Sequence, residues 1–334
     1  MQSRKQNPLV RQDAGPIRRQ ARCNACGGTL GPGLADATDP LTGDHFAVLV
    51  CQSCGLGHTD PQPDDLARYY GPTYHGGRHG PTAIYCALRR ALRVRRAAGA
   101  AQGRRLLDVG CGEGTFLQMA RRFGWRVAGT ELNPALARAA GFEAFETLEA
   151  ARGAGPYACI TLWHSLEHLT DPRGAFRQLV AMLEPGGTII AAVPNSAGWQ
   201  ARAFGRSWFH LDVPRHLFHF GPRSLARLFE VSGLSVVRRW DHEVEYDVFG
   251  WCQSTLNALS KRPNQLYDTL THRRGGSGFA TSWIVAGALC AAALPAVSVA
   301  SLARRGSTIV MAARRGSARK PSILPASTPP AATP

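Results

Sequence analysis

The run Leu106-Leu107-Asp108-Val109-Gly110-Cys111-Gly112-Glu113-Gly114-Thr115-Phe116 constrains this chain more than any other stretch. An apolar strand runs directly into three alternating glycines and then into an amphipathic segment. Such a turn lets the backbone take positive φ and approach a ligand at the carboxyl edge of a sheet. The spacing Gly-x-Gly-x-Gly is one residue short of the dinucleotide fingerprint, whose wider turn accommodates a pyrophosphate. The next apolar run ends in Thr130-Glu131-Leu132-Asn133, which puts Glu131 at a strand tip where a carboxylate can hold both hydroxyls of a ribose. Together the two features point to an adenosine-type ligand.

From Arg105 onward, short apolar runs alternate with amphipathic stretches. They fall at residues 106–109, 115–123, 125–129, 134–140, 159–163, 173–183 and 188–193. Repeated βα units of this length predict a parallel sheet covered by helices on both faces. Further on, residues 224–232 read as a helix closed by Gly233, and residues 234–240 and 307–313 as the last two strands. Ahead of this domain, Ile84, Leu88 and Leu92 recur at four-residue spacing and predict a helix over 84–98.

Cys23-Asn24-Ala25-Cys26-Gly27 and Cys51-Gln52-Ser53-Cys54-Gly55 are two knuckles of the same design. Each sets two thiols on a tight turn whose following glycine lets both sulfurs face one ion, so Cys23, Cys26, Cys51 and Cys54 are expected to hold a structural zinc. A hairpin domain of about 40 residues has too small a core to fold without such a staple. The remaining five cysteines are isolated along the chain. The odd total of nine cysteines, and an N-terminus without the apolar stretch of a secretory leader, predict reduced thiols in a cytoplasmic setting.

Net charge is +16, but it is unevenly spread. Residues 1–22 carry six basic residues against one acidic one, and residues 303–334 carry six basic residues and no acid. Seven arginines fall in residues 82–107, again with no acid, which leaves the rest near neutrality. A chain built around a nucleic-acid groove should be basic within its folded core. Basic patches of this kind suit RNA or an anionic membrane surface.

On these residues the chain resembles the class I S-adenosylmethionine-dependent methyltransferases, over roughly residues 104–315. It is similar in particular to a subgroup with an N-terminal four-cysteine zinc ribbon followed by a Tyr-Tyr segment, here Tyr69-Tyr70. The resemblance extends to Leu162-Trp163-His164-Ser165-Leu166-Glu167-His168 after strand four, Leu183-Glu184-Pro185-Gly186-Gly187, and Pro214-Arg215-His216-Leu217-Phe218-His219. It implies a Rossmann-like seven-stranded α/β sheet with the last strand antiparallel. It also implies a cofactor site of Asp108, Gly110, Cys111, Gly112, Gly114, Glu131, Leu132 and Trp163, with Glu146 or Thr147 at the adenine; Thr147 is the residue assigned.

The sulfonium already activates the methyl group, so holding the acceptor in line supplies most of the rate, and a base is needed only for a protonated acceptor. His164 and His168 beyond strand four, and His216 and His219 on the segment that resembles a lid, are the candidates, with His216 and His164 first. His216-x-x-His219 alone lacks two further ligands for a metal.

Residues 275–303 contain no charged side chain, and the apolar insertion 279–302 is long enough to span a bilayer. Strands of one sheet before and after it require both ends on the same side, so it is expected to lie against a membrane, with Pro295 dividing it into two arms.

The organisation expected is a disordered basic tail (1–22), a zinc ribbon (23–60), a linker and helical lead-in (61–103), the methyltransferase domain (104–315) and a disordered tail (316–334). The function expected is methyl transfer to a small-molecule or lipid-linked acceptor, in the cytoplasm and peripheral to the inner face of the membrane. An RNA methyltransferase that uses the ribbon to grip RNA, and a non-catalytic interaction protein on the same fold, are the alternatives.

Overall fold

The computed structural model describes residues 21–70, 81–99, 104–260, 263–270 and 279–315. The tails expected at 1–22 and 316–334 therefore fall outside it, apart from residues 21 and 22. Three strands open the chain: β1 (Leu30–Thr38), β2 (His45–Cys51) and β3 (Gly57–Asp60). Helix α1 (Pro81–Ala98) leads into β4 (Arg105–Val109), α2 (Thr115–Arg122), β5 (Arg126–Thr130), α3 (Ala135–Ala139), β6 (Glu143–Phe145) and α4 (Leu148–Ala151). Next come β7 (Tyr157–Trp163), α5 (Pro172–Ala181), β8 (Leu183–Pro194), α6 (Trp199–Phe204), β9 (Phe218–His219), α7 (Pro222–Val231) and β10 (Leu234–Trp240). The last elements are α8 (Val244–Leu259), α9 (Gln265–Leu270), α10 (Phe279–Leu302) and β11 (Thr308–Arg315).

Seven strands form one sheet in the order β10-β11-β8-β7-β4-β5-β6. β4 to β8 run parallel, and β11 enters antiparallel between β8 and β10. The parallel part is the helix-covered sheet that the alternation predicted, and the antiparallel β11 in a seven-stranded sheet is what the resemblance implied. The chain order reverses between β4 and β7, which is where open α/β sheets leave a crevice at their carboxyl edge.

Burial follows the two-residue period of strands covered on both faces. Leu107, Ile160 and Ile189 pack with Phe176, Leu179 and Phe229 on one face, whereas Leu106, Cys159 and Ile190 pack with Val94 and Leu117 on the other. Asp171 caps α5 by accepting from Gly174 N at 2.9 Å, with Pro172 in the first turn.

The expected lead-in helix is present, but turned. Ile84 and Leu88 are 57% and 38% exposed, while Ala83, Cys86, Ala87, Ala91, Val94 and Ala97 face inward. Small residues are needed there because α1 lies close against α2 and the sheet.

The cysteine-bearing sheet has the order β1-β2-β3-β9, so its fourth strand comes from within the 104–315 segment, with Gly57 opposite His219 and His58 opposite Phe218. Arg215 fastens the seam. Its guanidinium meets Asp39 at 2.8 Å and Asp212 at 2.6 Å, and donates to the Tyr69 carbonyl at 2.9 Å.

The apolar insertion is a single helix that continues through Pro295 rather than two arms. Proline removes the hydrogen bond to the Ala291 carbonyl, but both residues are exposed, so water can take the vacated acceptor. Cys290, Ala293, Val297 and Ala300 form the inward stripe of α10, and the Cys290 and Cys252 sulfurs are 3.3 Å apart against α8. Among the described residues no helix is long and apolar enough to cross a membrane.

Candidate functional site

The glycine turn sits at the carboxyl end of β4. Gly110, Gly112 and Gly114 take φ of 77°, 56° and 91°, in the left-handed region that other residues avoid. Gly110 N and Cys111 N both donate to the Thr130 carbonyl, at 2.8 and 3.0 Å, which ties the turn to the end of β5. Glu131 closes the other side: its carboxylate accepts from Gly112 N at 2.8 Å and Leu132 N at 2.9 Å. A Cβ built on Gly112 would meet nothing within 4 Å, so the turn borders open space of the kind a ligand cradle requires.

That space is a cavity of about 230 Å³, whose wall includes Asp108, Gly110, Cys111, Gly112, Arg90 and Tyr246. Four of these belong to the expected cofactor set. Leu132, next to Glu131 in the chain, is exposed. Trp163, at the end of β7, packs edge-on against Phe116 with ring centroids 5.6 Å apart and carries Arg90 over its ring at 5.2 Å. Its indole nitrogen has no hydrogen-bond partner among the described residues.

Thr147 does not reach this wall. Its hydroxyl caps α4 by accepting from Ala150 N, and exposed Glu146 faces Arg138 at 3.8 Å. A threonine at a helix start satisfies the backbone first.

Asp108 is buried and accepts from the Thr161 hydroxyl at 2.6 Å; burial pushes its carboxyl up to about 7, against the pull of Thr161 and Arg90. Burial also raises the Cys111 thiol, which removes it as a nucleophile. Two wall residues, Arg90 and Tyr246, were not anticipated. The one available signal was that Arg90 shares a helical face with Ala83, Ala87 and Val94.

The histidines separate by environment. His164, at φ 55°, stacks on Tyr246 with ring centroids 3.9 Å apart, and its Nε2 lies 2.8 Å from Glu243. Although burial opposes the charge, Tyr246 and the Glu167 and Glu243 carboxylates raise its pKa to about 10, which favours the imidazolium at neutral pH.

His216 is the reverse. Burial and neighbouring His168 lower its pKa, against Asp212 and Glu167. Its Nδ1 lies 2.9 Å from the His210 carbonyl, which must be met by an N–H, so Nε2 carries the free lone pair. His168 Nδ1 meets the Arg215 carbonyl at 2.9 Å in the same way. His219 lies in the seam with the ribbon, where its Nε2 meets the Thr59 hydroxyl at 3.0 Å and burial lowers its pKa to about 3.

Between His168 and His216 lies Glu167, 1% exposed, with neither carboxylate oxygen hydrogen-bonded among the described residues. Ligand atoms of all three lie within 4.8 Å of one another, a grouping able to hold a cation. The three come from two segments 48 positions apart, joined by the Leu217 N bond to the Glu167 carbonyl at 2.9 Å. His219, the other half of the sequence pair, is not in this grouping.

Cys23, Cys26, Cys51 and Cys54 form a second cluster within the same limit. The Cys23–Cys54 and Cys26–Cys51 sulfurs are 3.5 and 3.6 Å apart, close to the roughly 3.8 Å edge of a tetrahedron with metal–sulfur bonds of about 2.3 Å. Gly27 and Gly55, at φ 76° and 77°, each donate to the carbonyl of the first cysteine of their knuckle at 2.8 Å. The four thiols thus fit zinc.

Comparison with known proteins agrees with this geometry. Residues 83–239 match the family model described as a methyltransferase domain. The chain is 28% identical over 152 residues to the ubiquinone biosynthesis O-methyltransferase of Xanthomonas axonopodis pv. citri, covering 40% of this chain and 64% of that protein. It is 33% identical over 114 residues to the enzyme of the same name from Bordetella avium, covering 30% and 47%. The chain thus spans about half to two thirds of the curated relatives it matches. The chain is also similar to a solved SAM-dependent methyltransferase from Archaeoglobus fulgidus, at 18% identity and a TM-score of 0.41, over 68% of this chain and 94% of that one.

Proposed function

From the premise that residues 83–239 belong to a class I methyltransferase domain, we propose that this chain transfers a methyl group from S-adenosylmethionine to a small-molecule or lipid-like acceptor. The observation that carries the proposal is the cradle itself: an open glycine turn whose Gly112 N–H is held by the ribose-type carboxylate of Glu131. When bound, the cofactor supplies a methyl group activated by its sulfonium.

Glu131 would hold the ribose hydroxyls, and Gly110 and Gly112 would admit the ligand against the backbone. Arg90, whose Nε has no hydrogen-bond partner among the described residues, would meet the carboxylate of the amino-acid moiety. Trp163 would offer its free indole N–H. His216 is the residue we assign to take the acceptor's proton, because it is neutral with Nε2 free; Glu167 and Asp212, the latter 3.9 Å from that nitrogen, would stabilise the imidazolium formed. His164 would act as a fixed cation beside the acceptor. The four cysteines would hold zinc in a closed structural site.

The same reading has the chain in the cytoplasm, with α10 as a peripheral contact at the inner face of the membrane. Leu294, Val299 and Leu302 are 49%, 54% and 86% exposed, and β10 and β11 on either side of α10 belong to one sheet. Titration calorimetry with S-adenosylmethionine and with NAD tests the cofactor assignment. Binding of the first and not the second supports it; NAD binding without S-adenosylmethionine binding overturns it.

A further inference from the structure

Directly after α10 the chain carries two adjacent arginines that methyl transfer does not use. Arg304 and Arg305, together with Arg223 and Arg239, line a cavity of about 380 Å³. Arg239 is neutralised by Asp241. Arg223, Arg304 and Arg305 make no ion pair among the described residues. Three like charges around one concavity repel one another unless an anion joins them.

The cavity also receives the start of the ten-residue helix α7, where Gly221 has no side chain to cap the first-turn N–H groups. Ser224 lies there too, accepting from Gly221 N at 2.9 Å. A tetrahedral oxyanion suits both donor types, since guanidinium forks and helix N-termini bind phosphate in the same way.

What adjoins the cavity narrows the anion further. The exposed apolar face of α10 ends at Leu302, two positions before Arg304. An uncharged helix face that terminates on unpaired arginines is complementary to a molecule with an apolar tail and a phosphate head. Thr308 at the start of β11 stands opposite Pro194 at the end of β8, so the arginines emerge at the same sheet edge as the glycine turn.

We propose that the cavity of Arg223, Arg304 and Arg305 binds the phosphate headgroup of an anionic phospholipid while the outer face of α10 lies against its acyl chains. The proposal rests on the peripheral contact proposed above and adds a specific headgroup site to it.

Flotation of the full-length, zinc-loaded protein with vesicles of phosphatidylcholine alone, and of phosphatidylcholine with phosphatidylglycerol, tests it. The expected result is preference for the anionic vesicles, weakened about fivefold by each of Arg223→Ala and Arg305→Ala and restored by lysine at either position. Leu302→Glu should weaken binding to both vesicle types. Affinity for S-adenosylmethionine should be unchanged in every variant, which establishes that each is folded. Anionic preference indifferent to the arginine variants overturns the headgroup site and leaves the membrane contact standing. No binding to either vesicle type overturns both. Thermal stabilisation by inorganic phosphate that is lost in Arg305→Ala, without vesicle binding, assigns the cavity to a soluble phosphate and overturns the lipid source.

Discussion

Replacing Glu243 by glutamine should destabilise the protein far more than the change of a single atom suggests. The Glu243 side chain is 1% exposed and meets two cations: Arg93 Nη1 at 2.5 Å and His164 Nε2 at 2.8 Å. Glutamine keeps the shape and removes the charge, leaving the Arg93 guanidinium, itself 4% exposed, without its carboxylate. Removing one partner of a buried pair costs about 3–5 kcal/mol, and arginine cannot relieve the loss by shedding its proton.

His164 can relieve it, and that gives the prediction a pH signature. Its folded pKa of about 10 lies above the ordinary 6.5, so its stabilisation is full below 6.5 and is lost as pH rises through 10. Each unit of that elevation is worth about 1.4 kcal/mol. In Glu243→Gln the proton keeps Tyr246 and Glu167, the latter at 3.6 Å, but loses its nearer carboxylate, so the decline between pH 6.5 and 10 should flatten. Glu243 itself is held below the usual carboxylate range, by His164, Arg90 and Arg93 against burial, and so does not titrate in this window. Urea denaturation of the zinc-loaded chain across that range reads both effects. A loss under about 1 kcal/mol, the size of an exposed pair, or an unchanged pH slope, would refute the reasoning.

Glu131→Ala should weaken S-adenosylmethionine binding by about 1.5–3 kcal/mol in calorimetry, as for hydrogen bonds to a charged group; unchanged affinity would remove Glu131 from the site. Protein purified without chelator should contain about one zinc per chain by elemental analysis, and Cys51→Ser should lower that content; a value near zero contradicts the ribbon assignment. If the acceptor is a protonated hydroxyl or amine, His216→Asn should abolish the low-pH limb of the turnover profile while leaving cofactor affinity intact. Retention of that limb would assign catalysis to proximity and orientation alone.

Much of this architecture could be read from local pattern. The strand that enters the glycine turn, the carboxylate at the next strand tip and the paired cysteine knuckles each lie within about a dozen residues, where backbone preference and side-chain chemistry act together. What escaped reading depends on distant partners. β9 is only two residues long and exists because β3 offers it an edge. Arg90 lies within an arginine run that reads as solvated charge, yet the helix turns it toward Asp108 and Tyr246. Glu167, His168 and His216 become one cluster only when the segment after α6 folds back on the end of β7. Thr147 follows β6, and its hydroxyl is engaged by the first turn of α4.

Transfer of radiolabelled methyl from S-adenosylmethionine bears most directly on the central claim. The purified, zinc-loaded protein is incubated with lipid, small-molecule and RNA fractions from cells that lack it, and each fraction is then separated and counted. The expected result is label in one organic-soluble or small-molecule species, absent with Glu131→Ala. Label confined to RNA, or no transfer to any fraction by protein that binds the cofactor, would contradict it.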